Sequence, residues 1–143
     1  MFKGEYNHTI DTKGRLIIPA KLREGLGDHF VVTRGLDGCL SIYAMPEWEK
    51  LEEKLQNLPL TNANARKFSR YMLSGAVDCE FDKMGRILLP QVLRQAASLE
   101  KDVVLIGVGS RIEIWNRDKW AAENELTEEE MSDLGGNLEG LGI

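Results

Sequence analysis

Two aspartate–arginine pairs have the residue types and spacing to do chemistry. Asp11 precedes Arg15 and Asp82 precedes Arg86, four positions apart in each case, with Gly14 or Gly85 just before the arginine. A guanidinium is planar and permanently charged, and its fork pairs bidentately with phosphate or with the edge of guanine. A carboxylate across a short turn can hold that fork in one orientation. Lys13 and Lys83 add a second cation to each segment. Such a set suits an electropositive edge that meets an anionic partner. It suits equally a structural turn with a surface ion pair, a contact of about 0–1 kcal/mol. The residues alone leave both readings open.

The elements that must position these pairs occur twice. The segments run Asp11-Thr12-Lys13-Gly14-Arg15-Leu16-Ile17-Ile18-Pro19 and Asp82-Lys83-Met84-Gly85-Arg86-Ile87-Leu88-Leu89-Pro90. Both read Asp-x-x-Gly-Arg, three aliphatic residues, Pro, at an offset of 71 residues. Ile42 and Trp48 recur as Ile114 and Trp120 at an offset of 72. The chain is therefore read as an internal duplication.

Each half predicts the same plan. Tyr6, His8 and Ile10 alternate with polar residues, which indicates a strand over 4–10. Asp11 to Gly14 is a turn, in which glycine can take positive φ without a Cβ clash. Arg15 to Ile18 is a second strand, and the two together read as a hairpin. Alternation places Arg15 with Ile17 on one face and Leu16 with Ile18 on the other. Pro19 opens a short helix ending at Gly25 or Gly27. Strands follow at 29–34 and 39–43, around a turn at Gly35–Gly38. Helices are expected from Pro46, with Trp48, Leu51, Leu55 and Leu58 on one face, and from Thr61 or Asn62 to Tyr71. The second half repeats the order with strands at 76–81, 86–89, 102–108 and 111–115. A helix follows Pro90, and a last helix carrying Trp120 is capped by Asp118. The fold class is α+β, built from duplicated β-β-α-β units with flanking helices. Each half alone is marginal in size, so one shared core with halves interleaved by a pseudo-two-fold axis is the economical arrangement. The boundaries read 1–72 for the first repeat, 73–131 for the second, and 132–143 for a Gly-rich mobile tail.

The other candidates carry less. Arg66-Lys67-Phe68-Ser69-Arg70-Tyr71 could contact phosphate but reads as a solvated helix face. His8 reads as structural. Gly107-Val108-Gly109-Ser110 reads as a hairpin turn, since no Lys-bearing helix follows it. Cys39 and Cys79 form no C-x-x-C pair and read as free thiols, so no metal site is expected. No nucleophile–base pair can be singled out, so no catalytic residue, cofactor or enzymatic role is expected.

Charge is unevenly spread. The net charge is −5, yet all 18 Lys and Arg lie at or before Lys119. Residues 1–120 hold 18 basic and 16 acidic residues, a balance of +2, and seven acids follow Ala121 with no base among them. Local patches rather than the total decide what binds. No apolar run reaches the roughly 18 residues a membrane helix needs, and Met1–Tyr6 has no signal-peptide h-region. A cytoplasmic location with no membrane partner is expected.

The opening F-K-G-E-Y-N-H-T-I-D-T-K-G-R-L-I-I-P-A-K-L-R resembles that of the bacterial MraZ proteins, and D-K-M-G-R-I-L-L-P falls where that family has its second copy. The resemblance covers nearly the whole chain apart from the acidic tail. It implies an AbrB/SpoVT-like swapped-hairpin barrel. It implies ring-shaped homo-oligomers that bind direct repeats in double-stranded DNA upstream of the division and cell-wall gene cluster. It places DNA contacts on Lys13, Arg15, Lys83 and Arg86, with Asp11, Asp82, Gly14 and Gly85 orienting them. The second turn departs from the pattern: Met84 stands in the place of Lys13, and Lys83 is one position earlier. The first copy is therefore expected to contact DNA more than the second. The competing expectation is an oligomeric protein-interaction module without direct DNA readout.

Overall fold

The computed structural model describes residues 1–142. The eight strands are β1 (Phe2–Thr9), β2 (Arg15–Ile17), β3 (Phe30–Arg34), β4 (Leu40–Ala44), β5 (Val77–Cys79), β6 (Arg86–Leu88), β7 (Asp102–Gly109) and β8 (Ile112–Asn116). The helices are α1 (Ala20–Leu26), α2 (Met45–Gln56), α3 (Ala63–Ser74), α4 (Gln91–Ala96), α5 (Arg117–Asn124) and α6 (Glu128–Asn137). A 3-10 turn at Glu139–Leu141 follows.

Six strands form one antiparallel sheet in the order β1-β7-β8-β4-β3-β5, and β2 pairs with β6 in a separate two-stranded ribbon. Both arrangements are symmetric in the two halves. β4 meets β8 at Ser41↔Glu113, and β2 meets β6 at Leu16↔Ile87, so a pseudo-two-fold axis runs through both junctions. Each half lends its first strand to the other: β1 pairs with β7 over eight residues, and β5 pairs with β3 over three. The interleaved core expected from the small size of each half is what the strands build.

This exchange corrects the simple hairpin read around Asp11. The strand before the turn joins the large sheet, and the strand after it leaves for the ribbon. Among the described residues, the backbone link between them is the isolated Ile10↔Leu16 bridge with the Asp11 N–H to Arg15 carbonyl bond of 3.0 Å. The turn chemistry is local, but the ladder partner is chosen by the core. Leu16, Ile18, Ile87 and Leu89 all lie at 0–1% exposure beneath the sheet, together with Phe30, Ile42, Leu105 and Ile114. Full burial of one such side chain is worth about 1.5–3 kcal/mol. Pairing β2 with β6 drives both strands into one place and satisfies their backbone groups there.

The large sheet therefore has two faces. Its inner face meets the ribbon and the buried Leu22, Leu26 and Leu93 of α1 and α4. Its outer face carries α3 at one end, where Thr33 Oγ1 donates to the Met72 carbonyl at 2.6 Å. At the other end Val104, Ile106 and Trp115 pack with Trp120 of α5. The two indole-bearing helices anchor differently: Trp48 is 6% exposed, whereas Trp120 is only partly buried and meets Trp115 edge-on at 5.5 Å.

Smaller expectations also shift. Asn116, not Asp118, caps α5, its side-chain oxygen accepting from the Lys119 N–H at 3.0 Å. Asn62 caps α3 by accepting from the N–H groups of Asn64 and Ala65. Residues read as a Gly-rich tail contain most of α6, capped by Thr127. Every residue from 121 to 142 is exposed.

Candidate nucleic-acid interface

Each Asp-x-x-Gly-Arg turn is closed by its aspartate. Asp11 Oδ1 accepts from the N–H groups of Lys13 and Arg15, both at 2.9 Å, and Oδ2 accepts from Arg15 Nε at 2.7 Å. The Gly14 N–H donates to the Asp11 carbonyl at 3.0 Å, with Gly14 at φ +84°. The second turn repeats these bonds. Asp82 Oδ1 accepts from Met84 and Arg86 N–H at 2.9 Å, Oδ2 accepts from Arg86 Nε at 2.7 Å, and Gly85 stands at φ +74°. Hydrogen bonding from the arginine N–H first, and its side chain next, holds the carboxyls of Asp11 and Asp82 below their ordinary range. Both stay ionised at neutral pH and keep each guanidinium aimed.

Only one edge of each guanidinium is used this way. The side chains of Arg15 and Arg86 are 34% and 22% exposed, and no other side-chain bond is made by either among the described residues. Their terminal nitrogens remain available as a two-pronged donor.

The ribbon sets the two arginines relative to one another. Arg15 lies opposite Leu88, and Arg86 opposite Ile17. Burial of Leu16 and Ile87 turns Arg15, Ile17, Arg86 and Leu88 to the other face, as the alternation predicts. The arginines are thus two residues apart along the ribbon, about 7 Å, or roughly two base-pair steps. Lys13 and Lys83 stand exposed at opposite ends. The four basic residues singled out in the sequence are therefore brought to one element.

Each turn is also locked by the opposite half. The Gly14 carbonyl accepts from the Leu89 N–H at 2.9 Å, and the Gly85 carbonyl from the Ile18 N–H at 3.1 Å. Arg94 of α4 reaches the first turn: its Nε donates to the Leu89 carbonyl at 2.9 Å, and a Cβ on Gly14 would lie 3.0 Å from its guanidinium carbon. Arg23 of α1 reaches the second turn, where a Cβ on Gly85 would collide with its guanidinium. Sequence reasoning missed this pair. The signal was present, since Arg23 and Arg94 stand at the same offset of 71 as the signature.

Met84 leaves the second turn's geometry unchanged. The turn uses its backbone N–H, as the first uses that of Lys13, and its side chain is 64% exposed. The two copies differ in tip charge, not in the fixing of the arginine. The other basic cluster is not brought here: α3 lies on the outer face, and Arg66 Nη1 donates to the Leu60 carbonyl at 2.8 Å. The β7–β8 hairpin turns later than read, at Gly109–Arg111, since Gly107 still pairs with Ile112 and the Val108 N–H donates to the Arg111 carbonyl at 3.0 Å. Cys39 and Cys79 are free thiols, pushed up by burial to about 12 and about 11.

Comparison with known proteins follows the duplication. The family described as "MraZ protein, putative antitoxin-like" matches residues 1–71 and again residues 72–134. The chain belongs to the MraZ family. The two matched segments are the two halves related by the pseudo-two-fold axis, so the MraZ unit itself is what exchanges strands here. Relatives named Transcriptional regulator MraZ include one from Heliobacterium modesticaldum, 61% identical over 87% of each chain. Others come from Halothermothrix orenii, 54% identical over the whole of both chains, and Caldanaerobacter subterraneus, 51% identical over the same span. No helix among the described residues is long and apolar enough to cross a membrane.

Proposed function

We propose that this MraZ-family chain is a sequence-specific transcriptional regulator that reads duplex DNA with the outer face of the β2–β6 ribbon. The observation that carries this reading is the pair of aimed guanidiniums on one exposed two-stranded element. A B-DNA major groove admits a two-stranded ribbon, and a bidentate arginine distinguishes guanine there. Lys13 and Lys83 meet phosphates at the two ends, while Asp11, Asp82, Gly14 and Gly85 orient the reading residues. Two arginines read a short element, so repeated elements and repeated subunits are needed for a distinctive site. We therefore assign the family's direct repeats upstream of the division and cell-wall genes as the target, and a ring-shaped homo-oligomer in the nucleoid-associated cytoplasm as the reader. Linked weak contacts gain through effective concentration, which offsets the chain's net negative charge. The sheet and ribbon together form the swapped-hairpin barrel of the AbrB/SpoVT class in this reading.

Titration of a repeat-containing duplex with wild type and Arg15→Ala tests it. The variant should lose about 1–3 kcal/mol and relax sequence preference. Equal affinity of the two proteins would remove the proposed role. A second reading, an oligomeric protein-interaction module, is favoured by the exposed Ile17 and Leu88 between the arginines, 45% and 61% exposed. Size-exclusion chromatography of Arg15→Ala separates the two: an intact assembly without DNA binding supports recognition, and a broken assembly supports the module.

A further inference from the structure

The ribbon face is apolar as well as basic. Ile17 and Leu88 sit diagonally across it, flanked by Arg15 and Arg86, and Met84 of the second turn is 64% exposed. Phosphates give such side chains nothing to pack on, and a base edge offers them only a thymine methyl. Their pattern, aliphatic centre and cationic rim, also fits a partner with an aliphatic stripe and acidic flanks.

The chain carries such a segment. Helix α6 begins Glu128-Glu129-Glu130 and adds Asp133, with no basic residue anywhere after Lys119. Met131 and Leu134 fall at i and i+3 on one stripe of the helix, continued at i+7 by Leu138 at its C-cap, and the three are 54%, 44% and 38% exposed. Glu128 and Glu130 fall on either side of that stripe. No residue of the helix is buried on its own chain; all of them are exposed.

Topology decides which copy supplies it. The segment leaves from α5, which packs through Trp120 on the outer face of the large sheet, while the ribbon covers the inner face. In the structure a chain's own α6 lies off its own ribbon face: every residue of the helix is exposed, and Ile17 and Leu88 stay uncovered. The ribbon face of a neighbour is open to it.

We propose that α6 of a second copy docks on the ribbon face, its Met131-Leu134-Leu138 stripe on Ile17 and Leu88 and its carboxylates on Arg15, Arg86 and Lys83. The docked helix covers the arginine terminal nitrogens and so competes with DNA. The competition rests on the DNA-reading role above; the docking does not.

Full-length protein with Leu134→p-benzoylphenylalanine tests the docking without DNA. Unlabelled and heavy-isotope-labelled forms are mixed, irradiated at low salt and digested for mass spectrometry. Mixed-isotope adducts on residues 13–17 or 83–88 are expected, reduced by high salt and by Ile17→Asp with Leu88→Asp. Adducts confined to one isotope form, or placed on α2 and α3, would overturn the proposal. Competition is read from full-length Leu134→Asp, an exposed position that leaves the core intact. If helices occupy half to nine-tenths of the ribbons, this variant binds the repeat duplex about two- to tenfold more tightly than wild type. Unchanged affinity, where Arg15→Ala still loses the duplex, would overturn the competition. If wild type binds no duplex at all, the DNA-reading role falls, and the cross-link still decides the docking.

Discussion

Arg15→Lys separates the charge of the ribbon arginine from its shape. The guanidinium has five N–H donors. One, on Nε, is committed to Asp11 Oδ2 at 2.7 Å, which leaves those of the two terminal nitrogens in a fixed plane. A lysine keeps the positive charge but has a single nitrogen. If that ammonium pairs with Asp11 it points away from the partner; if it points outward the aspartate no longer aims it. Either way one bidentate contact is lost, and the charge near phosphate is kept. The expected cost is about 1–3 kcal/mol of discrimination, or roughly 5- to 150-fold between a repeat-containing duplex and a scrambled one. Non-specific affinity and the slope of log K against log salt should stay near wild type, since that slope counts phosphates neutralised at about 0.9 each. Fluorescence anisotropy with both duplexes over a salt series measures the two quantities together. Arg86→Lys should lose a comparable amount, because Asp82 fixes Arg86 by the same bonds at the same distances. Wild-type discrimination by Arg15→Lys would refute the view that the aspartate-held fork reads sequence. A change in salt slope with discrimination intact would reassign Arg15 to phosphate contact.

Other consequences can be measured separately. Asp11→Asn keeps an oxygen for the Lys13 and Arg15 N–H groups but cannot accept from Arg15 Nε, so discrimination should fall while the thermal midpoint moves little. Leu16→Ala removes a side chain with 0% exposure at the symmetry axis and should cost about 2–5 kcal/mol in urea unfolding, with Ile87→Ala costing a similar amount. Asp11 and Asp82 have folded-state values below their unfolded ones, so their contribution is complete above the ordinary carboxylate range. It is lost as pH falls through the depressed folded values; acid unfolding of Asp11→Asn/Asp82→Asn should show a weaker pH dependence in that window. Cys39 and Cys79 should react slowly with maleimide at neutral pH, Cys39 the slower, since burial raises their thiols to about 12 and about 11.

The candidate site was legible because its chemistry is local. An aspartate that accepts from its own turn and from the arginine four residues on needs no distant partner, and the offset of 71 exposed both copies at once. Strand positions and the shared face of Leu16 and Ile18 followed from alternation for the same reason, and burial turns that face inward. Strand partners did not. Val31 reads alike whether it faces Tyr43 of its own half or Asp78 of the other, and it pairs with both. Sequence alone does not single out Arg23 and Arg94, because a basic residue in a short helix looks solvated. Only the strand exchange brings each to the opposite turn.

That exchange explains why two copies of the turn belong in one chain. A turn closed by Asp11 aims Arg15 within its own segment, but nothing in that segment sets where the segment lies. Its Gly14 carbonyl is held by the Leu89 N–H and its flank by Arg94, both from the second half; Gly85 is held by the Ile18 N–H, with Arg23 alongside, both from the first. The two guanidiniums therefore cannot move independently. Displacing β2 by one residue would bring Leu16 to the surface and bury Arg15, so the core enforces the register that sets the arginine spacing. Such a spacing is useful only to a partner that itself has a regular repeat, and a base-pair stack is one. The loss of lysine at the Met84 tip leaves this coupling intact. The second arginine is thus held in place for the first whether or not its own tip meets a phosphate.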